Sequence, residues 1–187
     1  MTEVRYRTVY ADPPWNETGA RKIKRGADKH YPLMKTAEII EYMKQIPIDE
    51  NAHLYLWVTN NHLTDGLEVM SALGFRYVTN IVWVKDRFGL GQYFRGQHEI
   101  CLFGVKGHLP YKSQTGVSRS CCTETTVIQA KRTEHSSKPL EMYAKIENTS
   151  YEPFIEVFAR IRREGWEAMG NQVPDTTQAV LTSQEES

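Results

Sequence analysis

The chain lacks an apolar run long enough to cross a membrane, and its opening, MTEVRYRTVY, holds none of the apolar core that a signal peptide needs. It has only three cysteines, Cys101, Cys121 and Cys122, and no CxxC spacing. That excludes a disulfide framework and gives no zinc site, so no metal is expected. Net charge is absent too: 23 Lys+Arg oppose 23 Asp+Glu. The chain therefore has no overall basic field with which to hold a polyanion, and any positive charge used for that purpose must be local or come from a partner. No internal repeat is visible. What is present is ordinary for a globular protein, with 40% hydrophobic and 25% charged residues among 187. One domain over 1–173 and a patternless tail over 174–187 are expected.

An apolar-leaning run at 4–11 reads as a strand ending at Asp12. Residues 16–32 form a long polar loop carrying Arg21, Lys22, Lys24, Arg25 and Lys29. Its place beside Asp12 favours a basic flap over a merely solvated charge run. A helix is expected over 36–45, capped by Thr36, with Ile39, Ile40 and Met43 on one face. A buried strand follows at 52–59, in which Tyr55 and Trp57 read as packing. The next helix starts at Asn60 or Asn61, has Leu63, Leu67, Met70 and Leu73 as its apolar stripe, and stops at Gly74. Strands at 77–84 and 99–105 flank a glycine-rich loop at 88–96, and Lys85 closes the first of them. A second long loop covers 107–125, then a short strand 126–130. A helix opens at Ser137, with Pro139 in its first turn and Leu140, Tyr143, Ala144 and Ile146 facing inward. Strands at 152–160 and from 166 to 169 complete the chain.

Strands alternating with helices predict an α/β fold with a mostly parallel sheet. Such sheets bind ligands outside the carboxyl ends of their strands, where the strand order switches. Asp12, Lys85 and Arg160 all lie at predicted strand ends. The stretch Asp12-Pro13-Pro14-Trp15 carries the chemistry. Asp12 is a carboxylate acceptor, the prolines have no N–H and can only accept through their carbonyls, and Trp15 offers a flat face. Together they suit a planar group whose amine must donate. Each residue alone has a bland explanation: Asp12 capping a turn, Trp15 in the core, Glu156 paired with a surface arginine.

The blocks in order are Asp12-Pro13-Pro14-Trp15, LYLWVT at 54–59, IVWVK at 81–85, EICLFGVKG at 99–107, Ser137-Lys138-Pro139, EVFAR at 156–160 and Gly170-Asn171-Gln172. They resemble the DPPW-type adenine-N6 methyltransferases from position 9 to 172, in their bacterial and phage form. The resemblance implies a permuted seven-stranded Rossmann-like class I methyltransferase sheet, helices on both faces, with the catalytic strand first and the cofactor strand late. It also implies S-adenosylmethionine as methyl donor. Glu156, Asn171 and Gln172 would meet its ribose and adenine with Arg160 nearby, Lys138 its methionine carboxylate, and Asp12 would border it. A GxGxG loop is missing, as it is throughout that family. The segment Arg95-Gly96-Gln97-His98-Glu99 is closer to the bacterial pattern than to the messenger-RNA type.

The chemistry implied is methyl transfer to the adenine N6 amine, in DNA rather than RNA. Asp12 and the Pro13 carbonyl would accept the two N–H bonds, freeing the nitrogen lone pair for in-line attack. Pro14 and Trp15 would complete the pocket, with Trp15 stacked on a base already out of the helix. Arg21, Lys22, Lys24, Arg25, Tyr31, Lys85, Arg95 and His98 are the other expected nucleic-acid contacts. The alternatives are the same chemistry on RNA adenosine, a glutamine or cytosine amine as acceptor, or a non-catalytic nucleic-acid-binding subunit. A homodimer or heterodimer is expected, and a cytoplasmic location in a bacterial or phage-infected cell.

Overall fold

The computed structural model describes residues 4–16, 33–91, 93–112, 124–132 and 137–170. The central strand is β1 (Tyr6–Ala11), flanked by β2 (Ile48–Val58) and by a late strand, β6 (Phe154–Val157), both parallel to it. The other strands are β3 (Arg76–Val84), β4 (His98–Lys106), β5 (Val127–Gln129) and β7 (Trp166–Met169). They form one seven-stranded sheet in the order β5-β3-β4-β2-β1-β6-β7. Only β4 runs against its neighbours, so the sheet is mostly parallel, as expected. The chain leaves β1 toward β2 and returns on its other side at β6, which puts the switch in strand order at β1.

Alternation along the strands sorts the core by chemistry. Val9, Ala11, Leu54, Leu56 and Val157 face one side. Tyr10, Tyr55, Trp57, Phe154 and Trp166 face the other. Helices α1 (Thr36–Met43) and α2 (Leu63–Ala72) cover the aliphatic face, and α3 (Glu141–Thr149) covers the aromatic one. Both faces are thus buried, which is why β2 reads as a nearly continuous apolar run. Tyr55 and Trp57 are core residues, as their pattern predicts. Each fully buried side chain of this size contributes roughly 1.5–3 kcal/mol relative to exposure.

Three local readings are corrected. Thr36 is the first residue of α1 rather than its cap; Glu38 caps the turn by accepting the Lys35 N–H at 2.7 Å. In α2 the buried residues are Gly66, Val69 and Met70, while Leu63 and Leu67 are exposed. Gly66 decides the rotation: a Cβ there would overlap Val58 Cγ1 and stand 2.9 Å from Leu102 Cδ1, so the helix lies on the sheet through a residue with no side chain. The third helix starts at Glu141, not Ser137, and Leu140 and Ala144 face solvent while Met142 and Lys145 are buried. Among the described residues no helix is long and apolar enough to cross a membrane, and no cluster of His, Cys, Asp or Glu could hold a metal ion. Cys101 is a buried free thiol; Cys121 and Cys122 lie outside the described residues.

Candidate active site

Asp12 follows β1 directly, at the carboxyl edge of the parallel strands. Because β4 is antiparallel, its first residues reach the same edge: Glu99 pairs with Trp83 near the end of β3, and Ile100 with Val58 at the end of β2. Lys138 enters from the segment before α3. Its ammonium lies 2.6 Å from Asp12 Oδ2 and 3.4 Å from Glu99 Oε2, and 5.5 Å from the Trp57 ring centroid. Lys85 closes the row with its own ion pair to Glu99 and sits over Trp83. The result is an alternating row, Asp12, Lys138, Glu99, Lys85, of four charges that are all more than two-thirds sheltered from solvent.

The two inner members of the row, Glu99 and Lys138, hold each other charged. Burial works against an ionised Glu99, but Lys138 and Lys85 outweigh it and hold the carboxyl below its usual range. Burial likewise disfavours a charged Lys138, and Asp12 and Glu99 outweigh it and hold the ammonium above its usual range. Asp12 Oδ1 takes no hydrogen bond from another described residue. One oxygen of this carboxylate is therefore fixed by the lysine and the other is free to accept.

The two prolines are folded tightly. The Pro13 carbonyl accepts the Trp15 N–H at 2.9 Å, and the Pro14 carbonyl accepts the Met34 N–H at 2.8 Å. Asn16 N–H donates in turn to the Met34 carbonyl at 3.0 Å, so residues 14–16 are laced to the start of α1. Each carbonyl keeps a second lone pair. Trp15 does not offer the open face expected of it. Its side chain is in the core at 6% exposure, its indole N–H donates to the Trp57 carbonyl at 2.9 Å, and its ring stacks on His62 at 5.3 Å. An aromatic with an N–H that finds a buried carbonyl packs inward.

Glu156 lies in β6, paired with Tyr10 of β1. Its Oε2 accepts the Tyr143 hydroxyl at 2.8 Å. Burial is the main reason its carboxyl is held above the usual range; the Asp12 charge adds to this, while the Tyr143 bond and the charges of Arg163 and Arg160 act the other way. Arg160 therefore lies within electrostatic reach of Glu156, beyond the buried Phe158, which takes a left-handed φ of 63° and stacks on Tyr42 at 5.0 Å.

The structure thus brings Asp12, Lys138, Glu156 and Arg160 to one edge. One substrate candidate is placed differently: Lys85 turns inward to Glu99 and Trp83 instead of outward. Arg95 is exposed in the 88–96 loop, its guanidinium 4.1 Å from the Phe88 ring centroid. His98 is exposed at the start of β4. Arg21, Lys22, Lys24, Arg25, Tyr31, Asn171 and Gln172 lie outside the described residues. Glu99 and His62 carry no site role in the sequence reading, and Tyr143 reads there only as an inward-facing helix residue. A carboxylate opening an otherwise apolar strand was the one available signal for Glu99.

The chain matches the MT-A70 family over residues 6–172. It is 27% identical to the Type II methyltransferase M.MunI of Mycoplasma sp, over 97% of this chain and 83% of that protein. It is 30% identical to a putative N(6)-adenosine-methyltransferase MT-A70-like protein of Medicago truncatula, over 90% of this chain and 26% of the relative. Identity to the human N(6)-adenosine-methyltransferase catalytic subunit METTL3 is 29%, over 90% of this chain and 28% of the relative. The chain thus spans most of the mycoplasma protein and about a quarter of the plant and animal ones.

Proposed function

The chain belongs to the MT-A70 family, and on that premise we propose that it is an S-adenosylmethionine-dependent methyltransferase acting on the N6 amine of adenine in DNA. One observation supports this most: Glu156 on β6 pairs with Tyr10 of the adjacent parallel β1, two positions before Asp12, which follows that strand. At about 3.3 Å of rise per residue, a group held by Glu156 and a group held by Asp12 lie within one ligand's length. The residues fit the methyl donor chemically. Glu156 has one oxygen on Tyr143 and one left for a pair of ribose hydroxyls, and an ionised acceptor makes the stronger bonds. Arg160, Asn171 and Gln172 belong to the same side of the site by resemblance.

S-adenosylmethionine, when bound, supplies an electrophilic methyl group. The chain's residues prepare the acceptor. Asp12 Oδ1 accepts one N6–H, and the second lone pair of the Pro13 carbonyl accepts the other. These bonds draw the amine out of conjugation and aim its lone pair. Lys138 holds Asp12 in place, in preference to the methionine carboxylate suggested by sequence, so that its carboxylate faces the positive charge that develops on nitrogen. Pro14 and Trp15 act as the frame: the first tied to Met34, the second packed on His62, so the Pro13 carbonyl cannot drift. Positioning of this kind is worth roughly 7–11 kcal/mol in favourable intramolecular systems.

DNA is preferred over RNA because the similarity runs nearly end to end with the Type II methyltransferase and covers only about a quarter of the N(6)-adenosine-methyltransferases. The test is incubation with methyl-labelled S-adenosylmethionine and separate DNA and RNA pools, followed by nucleoside analysis. Label in N6-methyldeoxyadenosine is expected. Label in RNA N6-methyladenosine alone would move the substrate to RNA; label in N4-methylcytosine, or in protein only, would overturn the reading.

A further inference from the structure

The loop between β3 and β4 leaves the catalytic edge directly after Lys85 and returns at Gln97. Its neck is closed by backbone bonds, Lys85 N–H to the Gln97 carbonyl at 2.9 Å and Gly89 N–H to the Gly96 carbonyl at 2.7 Å. Gln97 Nε2 donates to the Lys85 carbonyl at 3.0 Å, and Arg95 Nε donates to the Gly89 carbonyl at 3.2 Å. At the tip the backbone folds so closely that a Cβ on Gly91 would overlap the Phe94 carbonyl. Tyr93 takes a left-handed φ of 58°, a conformation that a bulky residue adopts only under constraint. This built finger throws two rings into solvent: Tyr93 is 103% exposed and Phe94 87%.

The finger is also a local positive patch in a neutral chain. Arg87 and Arg95 belong to it. The segment after β5 is tied to its base through Arg132 N–H and Asp86 Oδ1 at 3.0 Å, which brings exposed Lys131 and Arg132 alongside. Aromatic faces interleaved with cations are what a nucleic-acid strand requires: rings stack on bases of any identity, and cations meet phosphates. Protein interfaces also enrich Tyr, Phe and Arg but deplete Lys, so exposed Lys131 beside the rings favours nucleic acid.

We propose that this finger grips the nucleic acid beside the catalytic edge, Tyr93 and Phe94 stacking on bases next to the target adenine while Arg87, Arg95, Lys131 and Arg132 contact the backbone. The proposal rests on the reading of the chain as a nucleic-acid methyltransferase. Rings stacked there would fill the gap that an extruded adenine leaves, which links binding to access of the N6 amine.

The test measures binding of fluorescein-labelled single-stranded and duplex oligonucleotides by anisotropy, together with methyl transfer to the same DNA and RNA sequences. Y93A/F94A is expected to raise Kd for both forms about tenfold or more and to raise KM for duplex above KM for a substrate whose adenine is unpaired. Y93W/F94W should restore affinity. K131Q/R132Q should reduce the salt dependence of binding by about two phosphate contacts. Unchanged Kd in Y93A/F94A with methyl transfer intact overturns the assignment, as does a change in oligomeric state with affinity retained, which would make the finger a protein interface. A wild-type protein that binds through Tyr93 and Phe94 yet methylates neither DNA nor RNA supports the finger and ends the reading under Proposed function.

Discussion

Lys138 reaches back across 126 positions of the chain to donate to Asp12 at 2.6 Å, and the same ammonium stands 3.4 Å from Glu99. One cation therefore serves two carboxylates at the edge where β1 ends and β4 begins. Asp12 is held as an acceptor by a charge that the fold, not the substrate, provides.

Replacing Asp12 by Ala should remove methyl transfer and spare cofactor binding, because Glu156 on β6 is the cofactor side in the proposed arrangement. A loss of 10²–10³-fold or more in kcat is expected from deleting a positioned charged acceptor, on the order of other preorganised electrostatic groups. Single-turnover assays beside calorimetry with S-adenosylmethionine separate the two effects. Normal turnover in Asp12→Ala would rule out the mechanism.

Lys138→Met should destabilise the fold by about 2 kcal/mol, less than a fully buried pair because the row keeps some exposure to water. Adding Asp12→Asn should recover part of that loss, since Asp12 is the carboxylate left without its lysine while Glu99 keeps Lys85. Urea midpoints of the two variants check this. The row also predicts acid sensitivity. Burial opposes the ionised Glu99, but Lys138 and Lys85 hold its carboxyl low, so its stabilising contribution is present above the unfolded carboxyl value of about 4.3 and disappears as pH falls through its lower folded value.

Glu156 behaves in the opposite sense. Burial raises its carboxyl above the usual range, and hydroxyl recognition needs the ionised form. Affinity for S-adenosylmethionine should therefore hold at neutral pH and fall as pH drops through a midpoint above about 4.3. Protonation at the same time eases the burial of this group. Calorimetric titrations across pH should show the midpoint, and Glu156→Gln should flatten the dependence at a lower overall affinity. A midpoint unchanged in that variant would assign the titration elsewhere.

Gly66→Ala tests how α2 sits on the sheet. The added methyl would meet Val58 and Leu102, both part of the aliphatic core. Overpacking of this kind costs about 1–3 kcal/mol, and Tm should fall by roughly 3–10 °C. The conventional expectation for a helix interior, that Ala stabilises relative to Gly, would reverse the sign, so a thermal melt decides between them.

Much of the fold was legible because the strands carry their own signals: the apolar run before Asp12, the continuous stretch through Tyr55 and Trp57, the boundaries of Trp166–Met169. The misreadings share a cause, a tertiary contact that local pattern does not encode. Leu63 and Leu67 look like a buried stripe, yet the close approach allowed by Gly66 turns the helix away from them. Ser137-Lys138-Pro139 looks like the opening of a helix, yet α3 starts only at Glu141 while Lys138 is engaged with Asp12 and Glu99. Trp15 looks like a stacking platform because of its neighbours, yet its N–H finds the Trp57 carbonyl. Glu99 stayed silent because its partners come from distant segments and its strand runs backwards.

The division of the core into an aliphatic and an aromatic side gives the protein a built-in optical gauge. Of its four tryptophans, Trp57, Trp83 and Trp166 belong to the aromatic side of the core, and Trp15 alone belongs to the aliphatic side. Intrinsic emission thus reports chiefly on one half of the molecule, and the ammonium of Lys138 over the Trp57 ring couples that signal to the charge at the catalytic edge.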